Sequence, residues 1–339
     1  MSLPVRLLCS LLCAGVSFSL FAEKNDSISY RPNFHGTLRP RMELSTEDNE
    51  FRFQLRNARV SMDGQISPSI DYFIQVDACD RGTMKFLDGW ARIKVADGLK
   101  FQAGQFRMPF AVDPFRAPHN YVFSNRSFIG KQIFNWRAVG AKVSYTLPRT
   151  PLTLEAGVFN PKSISDHTPW NKTAAFASKA LYKAGDFTFA AGYASIKPTD
   201  TRMNALDGCI TWKTGRWTTE AEYLYTHYVH NRFKASHAYN AYTTYAMPIK
   251  AGIFNRLSFQ GRFDGITAHS SGKFNEDGQL EANDPARNRI TVGTTISYIR
   301  SKSMYLDIRA DYEKYFYHSG VTVTPEMGDK LVLEMVLRF

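Results

Sequence analysis

Beyond residue 22 the chain has no apolar run long enough for a helix to cross a bilayer, which takes ~20 residues, so a helical membrane protein is excluded. It also lacks a GxSxG elbow, a histidine pair at metal spacing and a glycine-rich phosphate loop leading into a helix. Its eight histidines are scattered, and Ser270 beside His269 is a neighbouring pair, not a triad. The reading is therefore not an enzyme, and no metal, cofactor or energy source is implied. Cysteine is scarce. Cys9 and Cys13 fall in the first 22 residues, and the remaining two, Cys79 and Cys209, do not make a disulfide framework for a chain this long. Whether those two pair is open, and no functional thiol is expected. A polar tail is missing as well: the chain stops on "KLVLEMVLRF".

The first residues, "MSLPVRLLCSLLCAGVSFSLFA", carry one early cation, an apolar run and a small residue before the polar "EKNDS". That is the pattern of a cleavable signal peptide over residues 1–22, leaving residues 23–339 as a single domain. The formal charge of +11 falls to +10 on cleavage, because Arg6 is the only charge removed. An exported chain seldom meets nucleic acid, so the basic balance points to anionic solutes, outer-membrane lipids and lipopolysaccharide as partners.

What is abundant is alternation. In the last ten residues Leu331, Leu333, Met335, Leu337 and Phe339 share one strand face, opposite Lys330, Val332, Glu334, Val336 and Arg338. The same rule sets Ile70, Tyr72, Ile74 and Val76 against Asp71, Gln75 and Asp77, and Leu87, Ala91, Ile93 and Val95 against Asp88, Arg92 and Lys94. Trp217, Ala221, Tyr223 and Tyr225 oppose Glu220 and Glu222, and Leu306, Ile308, Ala310 and Tyr312 oppose Asp307, Arg309, Asp311 and Glu313. Sixteen such runs are predicted, over 32–44, 51–65, 69–79, 84–96, 99–109, 134–147, 151–160, 172–183, 186–197, 203–213, 216–230, 235–247, 254–268, 287–299, 302–316 and 329–339. Tight turns such as "SPS", "DG", "AGD" and "TG" alternate with mostly longer joins. Short turns on one side and long loops on the other are the asymmetry of an outer-membrane barrel. The expected fold is thus an all-β transmembrane antiparallel barrel of about 16 strands, with short periplasmic turns and longer extracellular loops. Its last strand has to pair with its first. In this setting a terminal Phe is similar to the signal read by the outer-membrane assembly machinery.

The segments "FRFQLRNARVSMDGQISPSIDYFIQVD", "LDGWARIKV", "LKFQAGQFRMPF", "WRAVGAKVSY" and "LEAGVFN" follow one another in an order that resembles the phosphate-selective porin O and P family. The likeness is firmest over residues 51–160, and "GQFRMPF" is its most specific piece. It implies a bacterial outer-membrane porin passing small hydrophilic solutes, and a homotrimer.

The third long connection, about residues 110–133, is rich in Phe and Pro and poor in Gly, so it is expected to pack against the inner wall and narrow the lumen. Fixed cations on that path would select anions. The candidates are Arg59, Arg92 and Lys94 on strands, Arg107 at the loop base, and Arg116, Arg126 and Lys131 within the loop. Arg56 is set aside because the alternation slips beside it. The competing reading is that inward arginines pair with inward acids such as Asp71, Asp77 and Asp88 and only stiffen the wall. Inward acids such as Glu220, Glu222, Asp307, Asp311 and Glu313 would also favour cations. The function expected is passive diffusion with an anion preference, phosphate or similar oxyanions included. The alternative is a structural or adhesive barrel with a plugged lumen, to which inward Phe73, Phe86, Trp90 and Phe106 would contribute.

Overall fold

The computed structural model describes residues 30–80, 83–133, 136–161, 170–282, 284–317, 321 and 323–339; the leader, residues 1–22, lies outside them. Sixteen strands follow one another: β1 (Asn33–Ser45), β2 (Phe51–Ser67), β3 (Ile70–Asp80), β4 (Thr83–Ala96), β5 (Leu99–Arg107), β6 (Arg137–Thr146), β7 (Leu152–Phe159) and β8 (Ala175–Ala184). Then come β9 (Phe187–Ile196), β10 (Met203–Thr214), β11 (Trp217–Tyr228), β12 (Ser236–Ala251), β13 (Phe254–Ile266), β14 (Arg287–Ser301), β15 (Met304–Tyr317) and β16 (Lys330–Arg338). Each pairs antiparallel with its sequence neighbours, and β1 pairs with β16, so the sheet is a closed barrel. Closure removes both edges, which is what lets a sheet sit in lipid.

The seam is built by the chain's end. Gly36 and Phe339 exchange backbone hydrogen bonds of 2.6 and 3.2 Å, and the Phe339 ring lies over Gly36, where a Cβ would come within 2.2 Å of it. In β16 Leu333 and Met335 are exposed, like Phe339 just beyond it, while Val332, Glu334 and Val336 are buried, as the alternation predicts. The outer face carries aromatic bands near both rims. Phe187 stacks on Trp212 and Trp217 meets Tyr245 at the turn end, and Tyr239 meets Phe263 at the loop end. These are the amphipathic rings expected at the two membrane interfaces.

Turns at one rim are short, and several use a glycine with positive φ, as at Gly98, Gly185, Gly215 and Gly252. A side chain at such a φ is strained, so glycine fixes these reversals. The Gly252 turn was not visible in the sequence. Pro248 reads as a strand breaker, yet β12 runs through it to Ala251 with a register shift just after.

Two bulges keep the faces in phase. Opposite β1, the pairing steps from Leu38 with Ala58 to Pro40 with Leu55, so Arg56 and Asn57 together face Arg39. This is the slip seen beside Arg56, and it holds Asn57 and Ser61 buried while Phe51, Phe53 and Val60 stay outside. In β4 the pairing passes from Gln75 with Asp88 to Val76 with Phe86, leaving Leu87 as the extra residue. Phe86 is consequently outward and 49% exposed, and Leu87 is buried at 6%. Strict alternation assigns both the other way round, because it has no allowance for an inserted residue.

Candidate functional site

Residues 108–136 join β5 to β6. Their bonds reach β1, β8, β11, β13, β14 and β15, strands spread around the wall, and only a segment inside the barrel can touch all of these. The first arm docks on β8 and β11. Glu222 accepts the backbone N–H groups of Val112 (2.6 Å) and Asp113 (3.0 Å), Lys179 donates to the Ala111 carbonyl at 2.8 Å, and Arg116 pairs with both Asp113 and Glu220. Ala111 itself is held at φ +59, an uncommon position for a residue with a side chain.

The second arm is gripped by its main chain. Three successive carbonyls, those of Ser124, Asn125 and Arg126, accept from Arg39 (2.8 Å), Arg262 (2.8 Å) and Arg289 (2.6 Å). The N–H groups of Ser124 and Phe128 donate to Asp311 (2.7 Å) and Asp264 (3.1 Å). Hydrogen bonds to charged groups contribute about 1.5–3 kcal/mol each when buried. Behind them Arg289 is bidentate to Asp264 and also reaches Glu313 at 3.1 Å.

The sequence candidates divide into two groups. Arg59 bonds Asp77 at 2.8 Å, Arg92 is bidentate to Asp71, and Arg116 is paired as above. Lys94 sits with Asp97 at the turn rim, 3.3 Å apart and both open to water. For Arg59 and Arg92 these are the wall pairs that the competing reading names, and Asp88 pairs with Arg137 instead. Arg107 donates to the Arg116 carbonyl. Arg126 donates to the carbonyls of Gly130, Pro114 and Arg116 at 3.0–3.1 Å and lies 4.7 Å from the centre of the Tyr121 ring. Among the described residues no carboxylate forms an ion pair with Arg107, Arg126 or Lys131. Enclosure in the lumen, then Arg289 and Arg287 nearby, pull the Lys131 pKa below its ordinary value. The His119 pKa is lowered to about 4, first by burial and then by Arg338, Arg59, His35 and Arg107.

Cavities lie to both sides of the loop. On the long-loop side a cavity of about 650 Å³ is lined by eight Lys and Arg residues against three acids. It takes in Arg126 and Lys131 together with Arg41, Arg52, Arg56, Arg287, Arg289 and Lys330. On the other side a cavity of about 330 Å³ has five cations, Arg92 and Arg107 among them, against one acid, Asp88. Phe73, Trp90 and Phe106 line it too. The arginines that clamp the loop, Arg39, Arg262 and Arg289, were missed from sequence. Their inward phase was legible, but the part of the wall the loop would reach was not.

Residues 33–205, half of the chain, match the phosphate-selective porin O and P family. The chain belongs to that family. Solved structures with the same fold include an anion-selective porin from Comamonas acidovorans, 11% identical with a TM-score of 0.62 over 91% of this chain and 98% of that one. The outer membrane channel DcaP of Acinetobacter baumannii is 13% identical with a TM-score of 0.60, over 91% and 97%. Salmonella typhi OmpF, in complex with daunomycin, is 14% identical with a TM-score of 0.61, over 91% and 97%. No curated protein sequence matches. As a porin of this family the protein is an outer-membrane channel.

Proposed function

We propose that this porin passes small hydrophilic solutes with a preference for anions, and that the preference is set where residues 108–133 cross the lumen. The observation that carries this reading is a division of labour between the two signs of charge. Of the inward acids that would favour cations, Glu220, Glu222, Asp311 and Glu313 are buried and engaged in holding the loop or its clamping arginines, and Asp307 is paired with Arg309 on the wall. Arg107, Arg126 and Lys131 face the cavities with no carboxylate partner among the described residues, while other lining cations, Arg41, Arg52, Arg289 and Arg137 among them, are ion-paired. An anion that sheds part of its hydration there meets fixed positive charge in a narrow, low-dielectric passage, which offsets the loss. Arg107, Arg126 and Lys131 carry the most weight because they have no carboxylate partner. Arg116, Arg59, Arg92 and Lys94 contribute a weaker, screened field.

Guanidinium groups suit oxyanions, phosphate included, because their planar donors match two oxygens at once. No energy source enters; solute moves down its gradient. A homotrimer, exported by its leader and seated among outer-membrane lipids and lipopolysaccharide, completes the reading. Planar-bilayer recording under a salt gradient tests it. Open steps with an anion-directed reversal potential support the proposal, and block of chloride current by phosphate adds an oxyanion site. Folded but silent barrels would instead mean a plugged lumen and a structural or adhesive role.

A further inference from the structure

Below the loop's first arm, the inner faces of β10 and β11 hold several buried acids around one thiol. Cys209 pairs with Glu222 across the two strands, and Thr211 with Glu220. The Cys209 Sγ and one oxygen each from Glu220 and Glu222 lie within 4.8 Å of one another, all buried. Asp207, two residues before Cys209 on the same face, is 6% exposed and lies against the Glu222 carboxyl, and among the described residues no N–H or hydroxyl donates to either of its oxygens. Oε1 of Glu220 is also buried and unpartnered. Both cysteines of the described chain are unpaired.

Four carboxyl groups, Asp113, Asp207, Glu220 and Glu222, meet here. Arg116 is shared between Asp113 and Glu220, Arg126 and Arg262 also lie in the field of Asp113, and Lys179 bonds the Ala111 carbonyl near Asp207 and Glu222 without forming an ion pair among the described residues. Buried carboxylate oxygens without a donor, as on Glu220 and Asp207, cost several kcal/mol each and favour further positive charge at this spot. It arrives either as protons or as a divalent cation. Cys209 decides between these. A thiolate next to carboxylates is a borderline-soft donor set, suited to zinc or cobalt and unsuited to calcium or magnesium.

We propose that Cys209, Glu220 and Glu222 bind a zinc-class divalent cation inside the barrel wall, with Asp207 beside it. Binding exchanges the Cys209 thiol proton, released to solvent, for the metal ion. Glu222 also accepts the N–H groups of Val112 and Asp113, so the ion braces the wall at the point where the loop docks. The site is independent of the anion preference, since its readouts need no conduction. It also revises the expectation that no thiol has a role.

The test is to refold the full chain in chelator, remove the chelator and titrate with Co²⁺ and then Zn²⁺. The proposal expects about one ion per chain, a thiolate-to-cobalt charge-transfer band that zinc abolishes, and loss of that band in Cys209→Ser but not in Cys79→Ser. Glu220→Gln, which retains the thiol, weakens zinc binding at least tenfold. Circular dichroism shows whether each variant has folded. A folded wild type that binds neither metal, with infrared bands of protonated carboxyls instead, would overturn the proposal in favour of protons alone. So would a charge-transfer band that survives in Cys209→Ser.

Discussion

One nitrogen of Arg39, Nη2, donates both to Glu334 across the seam, at 2.6 Å, and to the carbonyl of Ser124 in the loop, at 2.8 Å. A single side chain thus ties together the first strand, the last strand and the segment that narrows the lumen. Its exposure is 2%, and because Glu334 has a second partner in Arg309 at 3.4 Å, losing Arg39 should cost less than the ~3–5 kcal/mol of a buried charge left wholly unpaired.

Arg39→Met is therefore expected to lower the urea midpoint of the refolded barrel and to make the loop mobile, seen as larger and noisier single-channel steps. Arg39→Met combined with Glu334→Leu should recover part of the stability, because no Glu334 carboxylate is left to depend on the 3.4 Å contact with Arg309 alone, but not the quiet conductance. Equal destabilisation by the single and the double variant would show that Glu334 is not left uncompensated.

Asp264 accepts from Arg289 and from the Phe128 N–H. Asp264→Leu should free the second arm of the loop while sparing the first, which is held by Glu222 and Lys179. Conductance is expected to rise and protease sites within residues 121–130 to open, with cleavage near residue 113 unchanged. A conductance identical to wild type would mean that the arginine clamp is sufficient alone.

Among the described residues Arg107 and Arg126 make no ion pair, so replacing them changes the field in the passage without releasing a buried acid. Each unit charge at ~4 Å in water is worth ~1 kcal/mol, or about fivefold in permeability ratio. Arg107→Gln should move the zero-current potential under a chloride gradient towards zero, and Arg107→Glu with Arg126→Glu should carry it to the cation side. An unmoved potential would take both residues off the solute path.

His119 has a folded pKa of about 4, below its ordinary 6.5. Between those values the unfolded chain binds the proton and the folded one does not, so stability falls as pH drops from 6.5 to 4 and levels off below. The upper bound is about 3 kcal/mol. Urea midpoints measured across that window should slope less in His119→Gln. Selectivity, in contrast, is expected to be the same in wild type and His119→Gln from pH 8 to 5. Below pH 4 the wild type should gain anion preference over the variant as His119 becomes a cation. A slope unchanged in the variant would assign the acid sensitivity to carboxylates.

The wall of this protein was almost wholly legible in the sequence, because lipid on one side and polar lumen on the other impose a period of two that few other folds sustain so long. The slip beside Arg56 could be seen as a break in that period. The one at Leu87 could not, since either Phe86 or Leu87 satisfies an apolar outward position. The candidate cations were legible as inward charges, but their partners were not. Arg59 with Asp77 and Arg92 with Asp71 lie on adjacent strands, where hairpin register brings them together. Arg39, Arg262 and Arg289 bond a loop more than 80 residues away in sequence, and no local pattern encodes that meeting.

The seam also sets an order of events. Arg338 reaches Gly36 across 302 residues of chain, and contacts that distant form late because the loop they close has to be gathered first. Arg39 cannot engage Glu334 until β16 has arrived, and the Ser124 carbonyl shares the same nitrogen. Shutting the wall therefore fixes Arg39 last, while the loop is already held by Glu222, Arg262, Arg289 and Asp311 on other strands. A half-assembled barrel has an open edge and a partly latched passage, and closing the edge completes the latch.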